Sequence, residues 1–92
     1  MDRSEAEILA LKALSWVARA EGMLQRFAIQ TGVEIGDIRS QASDPEFLSA
    51  LLDFVLSDDV LAKAFCEETH IETRLLHHAR RSLPGGRVET GF

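Results

Sequence analysis

Apolar residues return every three or four positions from Ile8 to Leu83, and they almost never alternate. A period near 3.6 marks one face of a helix, whereas a half-buried strand needs a period of two. Only Val33 and Ile35 alternate, beside Gly32 and Gly36, which weaken a strand. The chain has no tyrosine, and its β-branched residues are scattered. The pattern predicts an all-α fold, a compact orthogonal bundle of about five or six short helices.

Local chemistry places the helix ends. Ser4 and Glu7 have the spacing of a capping box, in which each side chain satisfies a backbone N–H at a helix start. The helix that follows is apolar through Ile8, Leu9, Leu11, Ala13, Leu14, Trp16 and Val17, with one wet stripe at Lys12, Ser15 and Arg19. Such a helix is expected to be buried on most sides. Ala20-Glu21-Gly22 breaks it. A second helix carries Met23, Leu24, Phe27, Ala28 and Thr31 on one face, and Gly32 suits its left-handed C-cap. A short third helix holds Ile35, Ile38 and Ala42.

Asp44-Pro45 is the strongest punctuation. The residue before proline avoids the helical region and proline suits the first helical position, so Asp44 is the expected N-cap of a fourth helix. That helix, with Phe47, Leu48, Leu51, Leu52, Phe54 and Val55, is expected to be the centre of the core. Ser57 or Asp58 caps a fifth helix, expected to bury Val60, Leu61, Ala64 and Phe65. A sixth runs from about Glu72 to Ser82 with Leu75, Leu76, Ala79 and Leu83 inward, and Pro84-Gly85-Gly86 ends it. Residues 1–86 then form a single helical domain and 87–92 a flexible C-terminal tail.

Sliding the chain by 38 residues lays Leu14 on Leu52, Trp16 on Phe54, Val17 on Val55, Phe27 on Phe65 and Thr31 on Thr69. The match describes two three-helix units, although amphipathic helices of similar length match at apolar positions by default. Two units are too few for a solenoid, so they would pack against each other around one core.

Ninety-two residues allow one domain with a thin stability margin. Cys66 is the only cysteine, which excludes an internal disulfide and fits a reducing cytoplasm. The first twenty residues lack the form of a signal peptide, since Lys12 and Arg19 interrupt any apolar core. No apolar run approaches the ~20 residues that span a bilayer. A cytoplasmic protein away from the membrane is expected. Fifteen acids against ten bases give a net charge of −5, which disfavours nucleic acid as a general electrostatic partner. The charge is polarised. Residues 1–73 hold fourteen acids and six bases, whereas 74–92 hold four arginines against Glu89 alone.

Several runs together resemble a known family: Ala13-Leu14-x-Trp16, Leu24-x-Arg26-Phe27, Thr31-Gly32, Asp37-x-Arg39, Asp44-Pro45-x-Phe47-Leu48, Leu52-Asp53-Phe54, Phe65, Ala79-Arg80 and Leu83-Pro84-Gly85-Gly86. They resemble the family catalogued as domain of unknown function 3572, found mainly in alphaproteobacteria, over roughly residues 6–86. His70 stands where family members tend to have glycine, and Ile35-Gly36 replaces a more helical pair. The resemblance implies a helical cytoplasmic bacterial protein and brings no activity, substrate or catalytic residue.

Candidate chemistry is sparse. Cys66 and His70 are spaced i, i+4, and with His77 or His78 they resemble a partial zinc set that lacks a fourth ligand. A buried cysteine and a helix-end histidine explain them as well. A Cys/His nucleophile would also need an oxyanion donor, which no residue pattern supplies. Of Asp53, Asp58 and Asp59, helix capping accounts for the last two. No catalytic residue, metal ligand or cofactor is therefore expected. Arg74, His77, His78 and Arg81 share one face of the last helix, with Arg80 and Arg87 near. That face is the expected partner-binding surface for an acidic protein partner, unless it is an ordinary solvated face beside the C-terminal helix dipole. The adjacent histidines would make such a contact pH-sensitive. The expected function is a non-enzymatic protein-interaction module, with a homodimer as one form of partnership. The alternatives are a nucleic-acid-associated protein using the basic last helix and a small metal or thiol protein.

Overall fold

The computed structural model describes residues 2–20 and 22–83. Among them there are six α-helices and no strand. The order is α1 (Arg3–Arg19), α2 (Met23–Thr31), a 3₁₀ turn (Ile35–Asp37) running into α3 (Ile38–Gln41), α4 (Pro45–Leu56), α5 (Asp59–Thr69) and α6 (Thr73–Ser82). The Cα radius of gyration is 12.3 Å. The expected all-α bundle is the observed architecture.

Most helix ends follow the expected local chemistry. The Asp44 carboxylate accepts the Glu46 N–H at 3.0 Å, with Pro45 as the first helical residue of α4. Of the two cap candidates for α5, Asp58 is used, accepting the N–H groups of Val60 at 2.9 Å and Leu61 at 3.3 Å. Gly32 closes α2 in the left-handed region at φ 80°, where a residue with a Cβ is strained. The first helix differs. Its capping box is Asp2 with Glu5, not Ser4 with Glu7. Both pairs have the required spacing, but the earlier one lets Arg3 join the helix and pair with Glu7 at 3.4 Å. Pro84-Gly85-Gly86, the boundary at 86 and the tail 87–92 lie outside the described residues.

The core forms where α1, α4 and α6 meet, with α2 and α5 packed around α4. α4 is its centre, burying Phe47, Leu48, Leu51, Leu52, Phe54 and Val55. Phe27 of α2 sits edge-on to Phe47 and Phe54, with ring centroids 5.6 and 5.4 Å away. From α6, Leu76, Ala79 and Leu83 are buried and Leu75 is half-buried.

Two helices bury only part of what is expected of them. α1 buries Leu9, Ala13, Trp16 and Val17 as expected, adds Ala6 and Ala10, and leaves Ile8 56% and Leu11 43% exposed. α5 buries Leu61 and Phe65 as expected, adds Ala62 and Cys66, and leaves Val60 78% exposed. On α1 two stripes of equal period compete, and the one rich in alanine faces the core. Alanine and cysteine let neighbouring helix axes approach closely, which gains contacts along the whole helix.

Elements recur in the 38-residue register. α2 and α5 both end on a threonine, Thr31 and Thr69, whose hydroxyl donates to the carbonyl four residues back, at Phe27 (2.8 Å) and Phe65 (2.6 Å). The next residue is left-handed in both, Gly32 and His70. The tertiary settings then diverge. α6 packs on α1 and α4, whereas the turn before α3 rests on α2.

Candidate functional site

The expected partner face on α6 is presented outward. The inward positions Leu76, Ala79 and Leu83 fix the rotation of the helix, so Arg74, His77, His78 and Arg81 are all exposed. Nearby acids offset part of its charge. Arg74 pairs with Glu72 at 2.7 Å, and Arg80 pairs with Asp53 of α4 from a mostly buried position. Arg74 and His78 also border a recess of about 490 Å³ with Glu5 and Leu75, where the start of α1 crosses α6. The four residues form one surface, but only part of it is free cationic charge. Arg87 lies outside the described residues.

Cys66 and His70 are not brought together as ligands. Cys66 is buried, and its sulfur accepts a contact from the Thr73 hydroxyl at 3.7 Å. His70 is the left-handed C-cap of α5, exposed, with its backbone N–H directed to the Cys66 carbonyl. Among the described residues no three His, Cys, Asp or Glu side chains are grouped to hold a metal ion. Among them, too, no helix is long and apolar enough to cross a membrane.

The most distinctive surface uses α1, whose apolar residues on more than one side point to a partner, but the groove itself is not visible in residue patterns. A groove of about 380 Å³ opens between α1, the start of α2, the 3₁₀ turn and α3. From α1 it is lined by Leu11, Leu14, Ser15 and Ala18, and from α2 by Leu24. Ile35, Ile38, Arg39 and Ala42 complete it. Ile35 is 46% exposed. Ile8 stands on the same side of α1, one turn before Leu11. The sequence signal is the surplus of large aliphatic residues on α1, more than one core-facing stripe can hold. The alanine stripe fills the core instead, and the leucine stripe becomes one wall of the groove.

The family model described as protein of unknown function, DUF3572, matches residues 3–86. The chain belongs to this family. No curated protein and no solved structure matches it. Family membership accounts for the runs of residues noted above and carries no reaction or ligand. The functional reading of this DUF3572 domain therefore rests on its own surfaces.

Proposed function

We propose that the domain is a non-enzymatic protein-interaction module of the bacterial cytoplasm that presents the α1–α3 groove to a partner. The observation that carries this reading is the exposure of Leu11 and Ile35 in one groove, beside half-buried Leu14 and Leu24, with exposed Ile8 one turn before Leu11. Fully burying a leucine or isoleucine side chain is worth about 1.5–3 kcal/mol. A 92-residue domain with a small core gains by burying such residues, and a contiguous exposed group of them marks an interaction surface. The double variant Leu11→Asp, Ile35→Asp tests it, because both positions are exposed and the fold is expected to persist. In-cell crosslinking followed by mass spectrometry should recover a protein with the native chain and lose it with the double variant. Identical recovery by both chains sinks the reading.

A second reading uses the α6 face, on the observation that Arg74, His77, His78 and Arg81 are all exposed. It would receive an acidic protein or a phosphate backbone, with the overall charge of −5 opposing the latter. Titration with labelled duplex at low salt decides the nucleic-acid form of it. Absence of binding at micromolar protein removes that form, and binding that weakens in Arg81→Glu supports it.

A further inference from the structure

We propose that the groove receives one amphipathic helix of another protein, with carboxylates along the edge of its apolar stripe. The inference rests on the groove reading above and names the occupant. Shape is the first argument. The α1 wall from Leu11 to Ala18 is about two helical turns long, and the short α3 also lines the groove. An apolar cleft between helices is the shape into which the apolar face of a further helix packs.

The second argument comes from the register of the chain. At 38 residues beyond Ser15 and Ala42 stand Asp53 and Arg80, whose ion pair ties α4 to α6. The groove has small side chains at both places and no such tie. Conversely, Leu11 and Ile35 correspond to Ser49 and Thr73. At Leu11, Ile35 and Ala42 the first half is thus apolar where the second half is polar.

Charge selects the occupant. Arg39 is the only charged residue lining the groove. Lys12 flanks it beside Leu11 and shares an edge of α1 with Ile8 and Ser15. Arg39 has no ion pair among the described residues, nor has Lys12, a state they share with Arg19, Lys63 and Arg81. Glu34 and Asp37 lie on the adjoining turn and, like Lys12, flank the groove without lining it. A second copy of this chain docked groove to groove would offer Arg39 no carboxylate from its own groove lining. A helix with carboxylates at its edges would meet Arg39 and Lys12 with opposite charge.

The probe is a pair of synthetic amphipathic helices of about 18 residues, long enough to hold helical structure. They share one apolar face and carry either glutamate or lysine along its edges. Binding is read by fluorescence anisotropy, and the site by amide shifts on isotope-labelled protein. The glutamate peptide should shift amides from Leu11 to Ala18 and from Ile35 to Ala42, and the lysine peptide should bind roughly tenfold more weakly. Arg39→Glu, at an exposed position, should reverse that order, while Arg81→Glu should leave it unchanged. Equal binding, preference for lysine, shifts confined to α6, or no binding near 1 mM (about −4 kcal/mol) overturns the proposal. So does a dimer of the native chain that Leu11→Asp dissociates, which would make a second copy the occupant. If the peptides fail but cellular capture still depends on Leu11 and Ile35, only the nature of the occupant is wrong. If capture is independent of both residues, the groove reading itself fails.

Discussion

His70 is a side-chain-bearing residue in a position that favours glycine, with φ at 59°. A Cβ in the left-handed region costs about 1–2 kcal/mol, partly offset by the greater freedom glycine has in the unfolded chain. His70→Gly is therefore expected to stabilise the domain by about 0.5–1 kcal/mol, or to raise Tm by roughly 3–6 °C. A calorimetric melt checks this, and an unchanged or lower Tm refutes it. The corresponding site at Gly32 already has the favoured residue. A cap such as Asp44, Asp58 or Gly32 is legible in the sequence because its bonding partners lie within four residues. Trp16 is a contrary case. Its indole N–H donates to the Glu68 carboxylate at 2.9 Å, and its ring stands edge-on to Phe65 at 5.5 Å. Those partners are about fifty residues away, and no local pattern announces them.

At the scale of the element, the rotation of α1 decides both the core and the groove. Its alanine stripe and its leucine stripe share the period of 3.6, so periodicity alone does not choose between them. Close approach to α4 and α6 chooses, and that depends on elements 30 to 80 residues further along. The outcome is testable by paired substitutions. Ala10→Leu should overpack the α1 seam and cost about 1–3 kcal/mol. Ile8→Lys adds a charge to a larger apolar residue, yet should stay within about 0.5 kcal/mol because Ile8 faces out. Urea unfolding monitored by the single tryptophan reads both, and the reverse ranking would place α1 in the wrong rotation. The α6 face was legible for the complementary reason. Its polar and apolar residues are cleanly segregated around the helix, so Leu76 and Ala79 leave one way to orient it.

For the whole molecule, the 38-residue recurrence does not divide the core. α1 of the first half packs on α4 and α6 of the second, and Phe27 completes its aromatic cluster with Phe47 and Phe54. Neither half has enough apolar surface to bury within itself. Fragments 1–43 and 44–92 are each expected to show little helical circular dichroism. Mixed together, they should regain the native spectrum with a concentration-dependent midpoint. Independent helical folding of either fragment would show that the halves are separate units. The all-α class was legible across the chain because it depends on period and caps. The groove was not, because it exists only once α1 has been drawn to the far half and α3 has remained with α2.

The pairing of α1 with α6 also orders events in time. α1 is made before α4 and α6, the two helices it packs on, so that side of the core stays open until α6 has been added. Loop closure over most of the chain precedes its reward, and native structure then arrives as one late, cooperative step. Until that step Ala6, Leu9, Ala10 and Ala13 face solvent together with Ile8 and Leu11, and the nascent helix is sticky on both sides. Until α6 is made this apolar surface is open to aggregation, and folding buries the alanine stripe while leaving Ile8 and Leu11 exposed.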